Sequence, residues 1–226
     1  MTVAQQYEVD TAPLNIDLEQ RVVAFTAQHP WIESPSKKVL RKPLERENLE
    51  SGRATSIVRF QPESYFPEHT HPLGEEILVL EGVFSDETGD YPAGTYLRNP
   101  PGSKHQPHSK EGCTLFVKLD HFDPLDIEPI RVQTREAEFQ PGIGNLQVLG
   151  LHSFQGEHTA LVKWPAGEVF QRHTHVGGEE IFVLEGCFED EQGVYPKGTW
   201  LRNPHMSVHH PFVKEETLIL VKVGHL

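Results

Sequence analysis

The chain repeats itself, and polar residues carry the repeat. His69, His71, Glu75 and His105 recur as His173, His175, Glu179 and His209, each pair separated by 104 positions. Between residues 69–119 and 173–223, about 30 of about 51 positions are identical without a gap. Packing alone preserves apolar residues. Four side chains of metal-ligand type kept at fixed spacing therefore point to two copies of one metal-binding module. The 226 residues hold two modules of roughly a hundred residues each, expected as residues 1–125 and 126–226.

Helical periodicity is scarce. Short runs rich in Val, Ile, Leu and Phe recur between Gly, Pro and Asp clusters, which predicts an all-β chain of sandwich or barrel type. The clearest strands are Ile77 to Leu80, Leu115 to Val117, Ile181 to Leu184 and Leu218 to Val221. All four are apolar on both faces, so both need cover, one from the barrel interior and the other from a second sheet, the sister module or another subunit, as a homo-oligomer would supply. Further strands are expected around 21–26, 37–46 and 53–60, all assigned to the first module. Residues 120–138, rich in Asp, Glu and Pro, read as the connection between modules. The turns repeat too: Asp86-Glu87-Thr88-Gly89 with Asp190-Glu191-Gln192-Gly193, and Tyr91-Pro92-Ala93-Gly94 with Tyr195-Pro196-Lys197-Gly198.

A formal charge of −13 repels phosphate backbones and anionic lipids, which argues against a nucleic-acid or membrane-surface role. The first ten residues lack the basic and apolar regions of a leader, and no apolar run approaches the roughly 20 residues that span a bilayer. A cytoplasmic protein is expected. Cys113 and Cys187 face Thr217 and Val83 across the repeat, and both read as buried reduced thiols.

Residues two apart on a strand share a face, so His69 and His71 present two imidazoles to one side, as do His173 and His175. Glu75 and Glu179 follow a short Gly-containing turn that can return a carboxylate beside them. His105 and His209 come from a distant segment and close each site only if the fold returns there. Three nitrogens and one carboxylate suit Fe(II), Mn(II), Ni(II), Zn(II) or Cu(II) and not a soft thiolate site, with one ion per module, and ligand type alone does not choose among them. Arg98-Asn99, Arg202-Asn203, Lys118 and Lys222 also repeat and are read as hydrogen bonding at barrel turns or on an exposed strand face. Glu76 and Glu180 should point away from the site into ion pairs. His29, His108, His121, His152, His158, His205, His210 and His225 are read as hydrogen-bonded or surface residues.

These residues resemble the two cupin motifs, G-x5-H-x-H-x3-4-E-x6-G and G-x5-P-x-G-x2-H-x3-N. The first module reads Glu63 for the opening Gly, then His69, His71, Glu75 and Gly82, then Gly94, Pro100, Gly102 and His105, with Ser109 for the Asn. The second reads Gly167, His173, His175, Glu179 and Gly186, then Gly198, Pro204 and His209, with Met206 for a Gly and Val213 for the Asn. The resemblance implies a bicupin, two double-stranded β-helix barrels of jelly-roll type with a metal in each. A Met where Gly is usual should cost of order 1 kcal/mol or change the turn. The stretches His-Thr-His-x-x-Gly-Glu-Glu-Ile-x-Val-Leu-Glu-Gly and Tyr-Pro-x-Gly-Thr are similar to the cupin-like domain of ChrR, the anti-sigma factor of the singlet-oxygen response. That family adds a zinc domain needing a His and two Cys, and no cysteine precedes Cys113, which puts sigma-factor binding in question.

Two functions follow from the resemblance, which favours zinc or iron as the metal. One is a metal-binding sensing or regulatory protein linked to reactive-oxygen or transcriptional stress response. The other is an Fe(II)-dependent dioxygenase acting on a small carbonyl compound such as a diketone, with the ligand held in a barrel. Four protein ligands complete a tetrahedral structural zinc, whereas catalysis needs an exchangeable position.

Overall fold

The computed structural model describes residues 13–226. Among them there is no α-helix, only a short 3-10 turn at Thr26–Gln28, and the strands form two compact units. The all-β expectation holds, and the four clearest apolar runs lie within strands Glu75–Asp86, Cys113–Leu119, Glu179–Glu185 and Thr217–Val223.

One unit comprises His29–Arg135 with the described residues up to Ile16. Its main sheet runs, by hydrogen-bonded neighbours, Ile130–Gln133, Thr95–Asn99, Glu75–Asp86, Cys113–Leu119, Ala54–Phe60, Val39–Arg46 and Ile32–Glu33. The pairings along it are antiparallel. A two-stranded sheet joins His69–Thr70 to Lys104–His105. The other unit, Asp17–Gln28 with Glu136–Leu226, repeats the pattern. Its sheet runs Val22–Phe25, Thr199–Asn203, Glu179–Glu185, Thr217–Val223, Glu157–Trp164, Gln147–Phe154 and Gln140–Pro141.

Two segments depart from the linear division. Val22–Phe25, assigned on sequence to the first module, pairs with Thr199–Arg202 of the second unit's sheet. Within the supposed connection, Ile130–Gln133 pairs with Thr95–Arg98 of the first unit's sheet. The segment leading into each repeat thus completes the sheet of the other. Composition could not reveal this, because each strand is only four residues long, one apolar and one half polar, and neither names its sheet; what fixes it is an unpaired edge needing hydrogen bonds.

Each core keeps the repeat. Ile77, Val79, Phe84 and Leu97 are buried in the first unit, and their counterparts Ile181, Val183, Phe188 and Leu201 in the second. Outer faces are covered as well: Lys118 and Lys222, read on sequence as an exposed face, are buried and bond Thr55 and Thr159. Of the two thiols, Cys113 is buried and its pKa is pushed up to about 11 by burial, while Cys187 is only half-buried.

The Met206 turn keeps its shape. Met206 has φ 61° where Gly102 has φ 78°, and their amides donate to His175 and His71 carbonyls at 2.8 Å each. Glu63 likewise takes φ 55° where Gly167 has φ 80°. The first repeat carries two left-handed residues with a Cβ where its sister has glycine, Glu63 and Asp120 against Gly167 and Gly224, and the second carries one, Met206 against Gly102. Met206→Gly is expected to stabilise the second unit by about 0.5–1 kcal/mol, measured as a higher urea midpoint with unchanged slope; a lower midpoint contradicts this strain.

Candidate metal centre

Cross-strand register assembles each site. His105 is the direct partner of His69, and His209 of His173, so the distant segment delivers its imidazole opposite the first ligand. Glu75 and Glu179 open their strands and face Asn99 and Asn203. The eight residues singled out from the repeat fall into two groups, His69, His71, Glu75 and His105, and His173, His175, Glu179 and His209, whose ligand atoms lie within 4.8 Å of one another.

In the first group the His71 and His105 Nε2 atoms are 3.0 Å apart and each is 3.4 Å from Glu75 Oε2. In the second, the His175 and His209 Nε2 atoms are 3.0 Å apart, with Glu179 Oε2 at 3.5 and 3.7 Å. Donors each about 2.0–2.2 Å from one ion sit roughly 3–3.5 Å from each other, so both groups fit a divalent cation.

The tautomers fit as well. His69 Nδ1–H donates to the Pro67 carbonyl at 2.8 Å and His173 Nδ1–H to that of Gln171 at 2.9 Å. A carbonyl only accepts, so each ring keeps its Nε2 lone pair for the cluster. His105 and His209 turn Nδ1 toward Asp86 and Asp190 at 3.5 and 3.4 Å, a carboxylate–histidine pair of the kind that orients metal ligands. Burial lowers the pKa of His71 and His175, against the opposing pull of Glu75 and Glu179. Burial pushes the Glu75 carboxyl up, but the neighbouring histidines and the Asn99 hydrogen bond outweigh it and hold it ionised. Asp86 is likewise held well below the usual range, burial being overcome by hydrogen bonds from His105 and Thr88.

The supporting residues repeat too. Asn99 Nδ2 donates to Glu75 at 2.8 Å and Asn203 Nδ2 to Glu179 at 2.9 Å. Arg131 and Arg21, from the two segments that change units, hold the Asn99 and Asn203 carbonyls at 2.6 and 2.9 Å. Glu87 and Glu191 accept from the amides of Gln106 and His210, fixing the strand end beside the third histidine. The Asp-Glu turns read only as chain reversals thus carry orienting groups; their recurrence at the same offset was the signal.

Glu76 and Glu180 point away, as expected. Glu76 accepts from Tyr96 OH at 2.7 Å and His121 Nε2 at 2.9 Å, and Glu180 from Trp200 Nε1 at 3.3 Å and His225 Nε2 at 3.2 Å. His121 and His225 are themselves 104 apart. They form a fourth repeated histidine position, which in sequence reads only as two separate hydrogen-bonded or surface residues.

A cavity of about 390 Å3 in the first unit opens onto His69, His71 and Glu75, with walls that include Phe66, Ile77, Phe84 and Leu115.

Barrel sheets holding a His-x-His, Glu and His cluster define a cupin with two such centres. Residues 19–123 and 128–226 both match the family model described as the ChrR cupin-like domain. The chain belongs to that family. A stretch of 76 residues is 33% identical to DNA damage-repair/toleration protein DRT102 of Arabidopsis thaliana, covering 30% of this chain and 24% of that protein. Among solved structures, a candidate dioxygenase of Nostoc punctiforme superposes with a TM-score of 0.76 at 14% identity, over 91% of this chain and 82% of its own. The bacterial pirin YhhW of Escherichia coli, in complex with nickel(II), gives 0.67 at 11% identity, over 90% and 98%. At such identities the likeness establishes the fold. Among the described residues, no helix is long and apolar enough to cross a membrane.

Asp86→Asn is expected to weaken metal binding at the first centre by roughly 10–100-fold and leave the second unchanged, read by competition with a chromogenic chelator; equal affinity at both centres contradicts the orienting role.

Proposed function

We propose that both clusters bind a divalent ion and that the first barrel is a metal-dependent enzyme centre acting with O2 on a small carbonyl compound. The cavity beside His69, His71 and Glu75 carries this reading, because chemistry needs space for a reactant next to the ligands and a purely structural site does not. A redox-active ion held there supplies Lewis acidity and electron transfer. The chain's own contribution is positional: Asn99 fixes the carboxylate, Asp86 fixes the His105 ring, and Phe66 and Phe84 keep the cavity wall apolar. The name of the Nostoc relative supports this choice.

Membership of the ChrR cupin-like family favours a second reading, a sensor whose metal site responds to a reactive species. A thiol sensor at Cys113 is disfavoured, since burial keeps that group protonated.

Iron-loaded protein is expected to consume O2 with β-diketones or hydroxyacetophenones above a free-iron blank. Glu75→Gln should remove at least 90% of that rate by altering a ligand, whereas Glu179→Gln should leave most of it. No consumption above the blank, with both clusters loaded, would establish the sensor reading instead.

A further inference from the structure

The first cavity is not apolar throughout. On the strand Val39–Arg46, Val39 belongs to the core and faces Phe60; two residues on, Arg41 faces Val58, and past a bulge Arg46 faces Ala54. Phe60, Val58 and Ala54 all line the cavity, as do Arg41 and Arg46. Register therefore sets two guanidinium side chains on the inward face of the barrel, each residue under 10% exposed. Buried arginines need acceptors. Both find them in the loop of residues 47–53: Glu50 takes two hydrogen bonds from Arg41, at 2.6 and 3.2 Å, and the Leu49 carbonyl accepts from Arg46.

The second barrel lacks this device. Val162 and His158 occupy the places of Val58 and Ala54, and their cross-strand partners are Val148 and Ser153. The hairpin there turns through Gln155 and Gly156 alone, with no long loop. Duplication kept two ligand clusters but left the arginine pair and its acidic loop in one barrel.

We infer that the first barrel binds a small organic monoanion, a carboxylate on a short apolar body, with the anionic group on Arg41 and Arg46. With a divalent ion bound, the cations among the described lining residues, that ion with Arg41 and Arg46, outweigh the described carboxylates, Glu50, Glu75 and Asp120, by one charge. At about 390 Å3 the space is at the small end for ligand pockets and suits a single ring or short chain. Glu50 is the natural partner to give way: its side chain is 52% exposed, so an incoming carboxylate can take over Arg41 and return Glu50 to water. A chain of charge −13 repels anions at a distance, so selection arises inside the cavity, where low dielectric strengthens the arginine contacts. This inference rests on the first barrel being the small-molecule site, but not on turnover.

Calorimetry on the full chain loaded with zinc tests it, using benzoate, phenylacetate and hexanoate against their neutral amides. At least one carboxylate should bind once per chain, tenfold or more tighter than its amide. Arg41→Val with Arg46→Ser, the residues of the second barrel, should weaken it at least tenfold while zinc stays at two per chain. Glu50→Gln, on an exposed loop, should tighten it several-fold by removing the internal competitor, and this variant decides the matter if the double variant fails to fold. Failure of all three acids to bind, amides binding as tightly, two equal sites per chain, or unchanged or weaker binding in Glu50→Gln would each overturn the inference. Carboxylate binding without O2 consumption would fault the enzyme reading alone; diketone turnover without carboxylate binding would fault this inference alone.

Discussion

Two imidazole nitrogens 3.0 Å apart, with a carboxylate within 3.4 Å of both, make up the buried heart of the first centre. Their lone pairs converge on one point, and in a low-dielectric site that convergence is costly unless a cation occupies it. The rest of the barrel follows from this constraint. Ligands arrive from three segments, so the sheet must bring Lys104–His105 against His69–Thr70 and place Glu75 opposite Asn99. Each ligand then needs a neighbour to fix its direction, which explains why Asp86, Asn99 and the Glu87 turn repeat as faithfully as the ligands. Metal affinity in such sites is also folding free energy, on the order of 10 kcal/mol for a four-ligand zinc site.

The two units share this centre and differ around it. Phe60 on the cavity wall becomes Trp164, and the indole packs against Phe170 and Phe188 at centroid distances of 6.0 and 5.5 Å. Arg41 and Arg46 become Val148 and Ser153 by register. The glycine positions have also diverged, with Glu63 strained in one copy and Met206 in the other. A duplicated site under one common demand would not diverge in its walls while keeping its ligands and their supports. Both clusters keep a donor set that fits a divalent ion, while only the first barrel's cavity is lined by the Arg41 and Arg46 pair.

Much of this was legible in the sequence because the informative residues are polar and the repeat is gapless. The ligand groups, the barrel strands and the outward direction of Glu76 and Glu180 followed from strand alternation and a constant offset. Other features depended on register. Val22–Phe25 is short and carries no signal of which sheet it joins, and Ile130–Gln133 sits in acidic, Pro-rich sequence that reads as linker. Arg41 and Arg46 are five apart, an odd interval that alternation assigns to opposite faces; the bulge between Pro43 and Glu45 returns them to the same one. Lys118 looked solvent-facing because a lysine usually is, whereas in the fold it is buried with its ammonium on Thr55.

Two like centres, each assembled within its own unit, should hold metal independently. Elemental analysis of untagged protein, alongside His71→Ala and His175→Ala, tests it most directly. Two transition-metal ions per chain are expected for the parent protein and one for each variant, with the remaining unit folded. A parent protein that stays metal-free after supplementation, or a single substitution that empties both centres, would contradict it.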